Sequence, residues 1–121
     1  MSKTILTIDD SASIRQMVSV TLSAAGYRVL EACDGADGYG KATANAVSAV
    51  ITDLNMPVMS GLDFIRKYRA HPASTGVPIL FLTTESSDEV KQQARAAGAT
   101  GWIVKPFKQD QLLAVVRKVA G

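Results

Sequence analysis

The chain has 121 residues, 47% hydrophobic and 20% charged, which suits one globular domain with a core of its own. No apolar run approaches the about 20 residues a membrane span requires. The N-terminal Met-Ser-Lys-Thr-Ile-Leu lacks the apolar stretch and cleavage site of a secretory signal, so a cytoplasmic protein is expected. The net charge of +2 is spread without a basic cluster and makes no nucleic-acid footprint, and the single cysteine, Cys33, excludes an internal disulfide and a multi-cysteine zinc site.

Short β-branched runs alternate along the chain with stretches of helical period. Thr4 to Ile8 reads as a strand ending at Asp9-Asp10. Ile14, Met17, Val18, Leu22 and Ala25 then share one helix face, with Ser11 or Ser13 as the cap and Gly26 as the left-handed stop. Tyr27 to Ala32 reads as a second strand. A weaker helix follows over Ala36 to Ala44, marred by Gly38 and Gly40, each costing about 1 kcal/mol against Ala. Val47 to Thr52 is a buried-type strand ending at Asp53, and Pro57 and Gly61 punctuate the loop behind it. The helix from Leu62 to Arg69 presents Leu62, Ile65 and Tyr68 on one side. Val77 to Leu82, the most apolar strand, runs into Thr83-Thr84-Glu85. Ser86-Ser87-Asp88-Glu89 has the pattern of a capping box, opening a helix closed by Gly98. Gly101 to Val104 is the last strand and leads to Lys105-Pro106, after which a final helix carries Leu112, Val115, Val116 and Val119 inward.

Five β–α units with continuous apolar strands predict an α/β fold, a doubly wound five-stranded parallel sheet covered on both faces. Ligands of such sheets bind beyond the carboxyl ends of the strands, where the strand order reverses. The polar residues fall at that end: Asp9 and Asp10 after the first strand, Asp53 after the third, Thr83 at the fourth and Lys105 after the fifth. Three converging carboxylates repel one another unless they share protons or bind a cation. An all-oxygen donor set suits a hard ion such as Mg²⁺, and no histidine or thiol is placed to favour zinc. A carboxylate on such an ion is also a nucleophile, able to carry a phosphoryl group as an aspartyl phosphate. Lys105 would pair with one phosphoryl oxygen and the Thr83 hydroxyl would donate to another.

The motifs Asp9-Asp10-Ser11, Asp53-Leu54-Asn55-Met56-Pro57-Val58-Met59-Ser60-Gly61, Thr83-Thr84-Glu85 and Lys105-Pro106-Phe107 occur in this order and span nearly the whole chain. On these motifs the sequence resembles the receiver domains of two-component response regulators, above all the single-domain chemotaxis members. The resemblance implies the flavodoxin-like strand order 2-1-3-4-5 with five helices, and one receiver domain over 1–121 without an output domain. It implies that Asp53 is the phosphoacceptor. Asp10 and Asp53 would ligate Mg²⁺ with the backbone carbonyl of Asn55, and Asp9 would act through a bound water. Lys105 would contact the phosphoryl group and precede Pro106 by a cis bond. Thr83 would swing toward the phosphate, and Asn55 and Glu85 would tune how fast the aspartyl phosphate hydrolyses. The aromatic switch position, three residues before the lysine and commonly Tyr or Phe, is here Trp102. It is expected to move between outward and inward rotamers with Thr83, although an indole is bulkier and donates only through its N–H.

The implied partners are a sensor histidine kinase (CheA-like) as donor and a flagellar motor switch protein (FliM-like) as target, with a phosphatase as a further partner. The target would read the face of the fourth helix, fifth strand and fifth helix around Trp102, Lys91, Gln92 and Arg95. The protein is expected to be a monomeric signalling protein that catalyses its own phosphorylation and dephosphorylation, with no membrane or nucleic-acid partner. A phosphorelay intermediate or a phosphate sink is the alternative within this reading. A hydrolase of the aspartyl-phosphate type fits less well, because it needs its nucleophile after the first strand with another Asp two residues on, where this chain has Ser11. A flavodoxin fits poorly, since Asp9 and Asp10 would repel a flavin phosphate. Elsewhere, His71 is expected to be a solvated loop residue, Cys33 a small packed residue, and Met17, Met56 and Met59 packing groups.

Overall fold

Strands without polar alternation must be covered on both faces, and the chain meets that demand by alternating strand and helix throughout. The computed structural model describes residues 3–84 and 87–120. Its strands are β1 (Thr4–Ile8), β2 (Arg28–Ala32), β3 (Ala49–Thr52), β4 (Ile79–Thr83) and β5 (Gly101–Val104). Between and after them run α1 (Ala12–Ala24), α2 (Gly35–Ala44), α3 (Gly61–Arg69), α4 (Asp88–Ala97) and α5 (Gln109–Ala120), with a 3-10 turn at Pro72–Ser74. All pairings are parallel and the order is β2-β1-β3-β4-β5, the expected doubly wound sheet. No helix among the described residues is long and apolar enough to cross a membrane.

Successive strand residues point to opposite faces, so the sheet divides the core in two. Leu6, Ile8, Val50, Ile79 and Phe81 pack with Phe64, Ile65 and Tyr68 of α3 on one side. Ile5, Ile51, Leu80, Leu82 and Ile103 pack with Val18 and Leu22 of α1 and Leu112 and Val116 of α5 on the other. β3 and β4 are buried along their whole length and form the centre of the molecule.

Hydrogen bonds set the element ends. Ser11 is the cap of α1, its hydroxyl accepting from the Ile14 N–H. The Tyr27 N–H donates to the Leu22 carbonyl as α1 closes, so β2 starts one residue later than the sequence pattern suggests. Val77 donates to Ser74 in a turn, which delays β4 to Ile79. The Ser48 N–H already bonds to Thr4, but regular β3 pairing begins at Ala49 rather than Val47. α4 is capped by Ser87, whose hydroxyl accepts from the Val90 N–H, and closed by left-handed Gly98. Of the expected capping box, Ser86 lies outside the described residues.

Gly38 turns out to be a contact rather than a defect. A Cβ there would lie 2.4 Å from Ile8 Cδ1, so its absence lets α2 seat directly on β1. A Cβ on Gly40, two residues on, would meet nothing within 4 Å. In urea unfolding, Gly40→Ala is expected to raise stability by about 0.5–1 kcal/mol. Gly38→Ala is expected to lower it by about 1–3 kcal/mol through overpacking. Equal effects at the two positions would mean that α2 does not depend on its seat against Ile8.

Candidate functional site

The register pairs Ile8 with Thr52, so the residues that follow β1 and β3 emerge side by side. The Asp53 N–H donates to the Ile8 carbonyl at 2.9 Å, and the Asp9 N–H donates to Ala32 at 3.1 Å. The sheet ladder therefore extends one residue past its strands and carries both aspartates. Asp53 is held further by its own loop: its Oδ1 accepts from the Leu54 N–H at 2.8 Å, and the Thr52 hydroxyl donates to its carbonyl at 2.9 Å. The Gly61 N–H then donates to Leu54 at 2.8 Å. A Cβ on Gly61 would come within 2.3 Å of the Asp53 carbonyl oxygen, so only glycine lets α3 start this close beneath the acceptor loop.

Asp9 is 2% exposed, whereas Asp10 beside it is exposed. Asp9 Oδ1 accepts from the Ser11 N–H at 2.9 Å, and Asp9 Oδ2 lies 3.0 Å from Lys105 Nζ. The same ammonium lies 3.4 Å from Asp53 Oδ2. One carboxylate oxygen from each of Asp9, Asp10 and Asp53 falls within 4.8 Å of the others. Burial pushes the Asp9 carboxyl above its ordinary value of 3.8, against the opposing pull of the Ser11 N–H and Lys105, and the Asp53 charge adds to the rise. Among the described residues, three carboxylates cluster beside one ammonium, and their donor atoms are all oxygens. That set fits a hard divalent cation, which would supply the charge that Lys105 alone does not.

Thr83 ends β4 and is 1% exposed. The Lys105 N–H donates to the Thr83 carbonyl at 2.8 Å, tying the lysine to the end of β4, and the Lys105–Pro106 bond is cis. Trp102 is half-buried on β5, its ring 5.3 Å from that of Phe81 at a tilt of 46°. A cleft of about 50 Å³ between α4 and β5 is lined by Trp102, Lys91, Ala94 and Arg95; Gln92 is exposed and stands outside that lining. Asn55 is exposed on the loop after Asp53. In the same loop Val58 is 82% exposed at φ +70°, spanned by a Met59 N–H to Pro57 bond of 2.7 Å, a strained turn for a β-branched residue. Glu85 lies outside the described residues. The sheet edge thus gathers Asp9, Asp10, Asp53, Thr83 and Lys105, with Trp102 further back on β5, paired with Phe81.

Three expectations need correction or refinement. Cys33 is exposed rather than packed, because it follows an edge strand at the entrance to α2. His71 is half-buried rather than merely solvated: its Nδ1 accepts from the Ala73 N–H at 3.0 Å, and its ring meets Tyr39 edge-on at 6.1 Å. Met56 and Met59, half-buried in the acceptor loop, pack against the core, and Met17 is half-buried on α1. Sequence reading passed over Thr52, Phe81 and Arg15. The first two are two-residue steps from Leu54 and Thr83 and look like ordinary strand residues, and Arg15 looks like an ordinary helix-surface cation.

The raised Asp9 value has a consequence of definite sign. A carboxyl whose folded pKa lies above its unfolded one destabilises the fold once ionised, so its cost is absent in acid and complete at neutral pH. Asp9→Asn is therefore expected to melt higher than wild type at neutral pH in the presence of a chelator. That advantage should shrink as the pH falls into the carboxylate range. A neutral-pH midpoint below wild type would show that the Lys105 pairing outweighs burial.

Comparison with known proteins agrees with this geometry. The response regulator receiver domain family matches residues 5–117. The chemotaxis protein CheY1 of Helicobacter pylori is 41% identical over 119 residues, covering 97% of this chain and 96% of that one. The structure of chemotaxis protein CheY4 from Vibrio cholerae superposes with a TM-score of 0.95 at 47% identity, over 98% of this chain and 99% of that one. The receiver domain of the sensor histidine kinase PA1611 from Pseudomonas aeruginosa, solved with a magnesium ion coordinated in its active-site cleft, gives a TM-score of 0.91 at 26% identity over 100% of this chain and 99% of that one. The chain belongs to the response regulator receiver family and is a signalling protein of the CheY type.

Proposed function

We propose that the protein is a phosphorylation switch of chemotaxis: Asp53 accepts a phosphoryl group from a CheA-like sensor histidine kinase, and the altered surface binds a FliM-like flagellar motor switch protein. The observation that carries this reading is the position of Lys105 Nζ, 3.0 Å from Asp9 and 3.4 Å from Asp53 at the mouth of a three-carboxylate pocket. The carboxylates of Asp9, Asp10 and Asp53 and the backbone carbonyl of Asn55 would hold Mg²⁺. The magnesium in the related PA1611 receiver domain supports that choice of ion. When bound, the ion supplies positive charge that offsets repulsion between the acidic pocket and the phosphoryl oxygens.

Asp53 attacks through a carboxylate oxygen: its bond to phosphorus forms as the phosphorus–nitrogen bond of the donor phosphohistidine breaks, and the electron pair leaves with the imidazole. Asp53 reaches that attack already oriented, because the Leu54 N–H holds its Oδ1. Lys105, freed of two carboxylate partners, turns to a phosphoryl oxygen, and the Thr83 hydroxyl donates to another. Trp102 and Pro106 lie on either side of Lys105 in the chain and relay the change to the α4–β5–α5 face. Asn55 and Glu85 tune water attack on the aspartyl phosphate, alone or with a phosphatase. The chemotaxis names of relatives matched over nearly their whole length favour the motor switch over a relay or sink role. A cytoplasmic monomer that presents its own surface to the partner goes with this reading.

With Mg²⁺ and acetyl phosphate, wild type should be labelled and Asp53→Asn should not. Equal labelling of the variant would sink the acceptor assignment. The lone tryptophan should change fluorescence on phosphorylation, and an unchanged signal from fully phosphorylated protein would make Trp102 a static aromatic. A flagellar switch peptide should be captured by the phosphorylated form in preference to the unphosphorylated one. Capture that ignores phosphorylation, or no capture, would count against a motor regulator and favour a relay or sink.

A further inference from the structure

The acidic pocket is braced from outside by a residue that is neither ligand nor nucleophile. Arg15 sits in the first turn of α1, and helical side chains lean toward the N-terminus of their helix, here back over the end of β1. Its Nη1 donates to the backbone carbonyl of Asp9 at 2.6 Å, while its Nε lies 3.5 Å from Glu31 Oε1 at the end of β2. Every polar group of Asp9 is thereby engaged: the N–H by Ala32, the carbonyl by Arg15, Oδ1 by Ser11 and Oδ2 by Lys105. Glu31 is itself backed by α2, where Lys41 donates to the Glu31 carbonyl and pairs with Asp37 at 3.3 Å. A planar guanidinium can bond a carbonyl with one edge and face a carboxylate with another, which a lysine ammonium cannot do with the same geometry.

The carbonyl that Arg15 holds belongs to the peptide joining Asp9 to Asp10. A peptide unit is planar, so fixing that oxygen fixes the direction in which Asp10 leaves the strand. We propose that Arg15 is a positioning residue for the cation site: it aims the exposed Asp10 carboxylate into the pocket and so sets Mg²⁺ affinity. This inference rests on the Mg²⁺ reading of the pocket given above. It has a sign that simple electrostatics does not share. If only charge mattered, removing a cation near a cation site would tighten Mg²⁺ binding; loss of positioning weakens it.

The test is calorimetric titration of Mg²⁺ into the full chain, for wild type, Arg15→Met, Arg15→Gln and Glu31→Gln, with thermal unfolding of each in chelator. Both Arg15 variants should bind Mg²⁺ about 10-fold more weakly, the scale at which partners of metal ligands act. Glu31→Gln, which leaves the bond to the Asp9 carbonyl in place, should stay near wild type. Labelling of Asp53 by acetyl phosphate should be slow in Arg15→Met at limiting Mg²⁺ and recover at saturating Mg²⁺, a recovery that a folding defect would not show. Arg15→Gln provides the milder change should Arg15→Met unfold. Unchanged or tighter Mg²⁺ binding by a folded Arg15 variant overturns the inference, as does an equal loss in Glu31→Gln. A wild type that binds no Mg²⁺ removes the metal reading, and this one with it, whereas a binding wild type matched by Arg15→Met removes this one alone.

Discussion

Three carboxylates and one ammonium share a pocket at the carboxyl edge of the sheet, and most of the local structure can be understood as the means of keeping them there. Like charges this close oppose folding, and Asp9 carries a second cost: burial pushes its carboxyl above its ordinary value, with the Asp53 charge adding to the rise. Lys105 offsets part of that repulsion by standing between Asp9 and Asp53. Lys105 alone does not balance the carboxylates around it.

The energy that holds this arrangement comes from elsewhere. β3 and β4 are buried on both faces, and the two core layers pack large side chains such as Phe64, Tyr68, Phe81 and Leu22 against them. Burial on this scale outweighs a few unfavourable carboxylates. The backbone then transfers that rigidity to the site. Asp53 and Asp9 both donate their N–H groups to neighbouring strands, so neither aspartate is carried by a free loop. The lysine is tied by its own N–H to the last residue of β4, which joins the pocket to the strand pair that carries Trp102. The pocket and the face where Trp102, Lys91 and Arg95 meet thus share the β4–β5 strand pair.

Legibility in the sequence followed the range of the interactions involved. The order of strands and helices, the Gly26 and Gly98 stops and the inward faces of α1 and α5 are local and legible in the periodicity, while the cap of α1 is legible only as Ser11 or Ser13, a choice the Ile14 N–H bond decides. The pattern starts strands one or two residues early at Tyr27 and Val77, where turn bonds take the amides it assigns to the ladder, and at Val47, where regular pairing begins only at Ala49. Gly38 looked like a weakness in its helix because its value lies in the distance to Ile8, on a strand far from it in the chain. Cys33 and His71 were misjudged for the same kind of reason: one stands beside an edge strand, and the other caps a turn against Tyr39.

The sequence by itself determined that polar residues end four strands at one edge, because residue type and strand period are both written locally. It also determined the family, since the motifs around Asp9, Asp53, Thr83 and Lys105 stand in a shared order over almost the whole chain. Only the tertiary structure decided how those groups share charge. Parallel pairing of β1 with β3 brought the aspartates within reach of one ammonium, and the packing of α1 laid Arg15 on the Asp9 carbonyl. Distances of this kind depend on how whole elements settle against one another, and no run of residues encodes them alone.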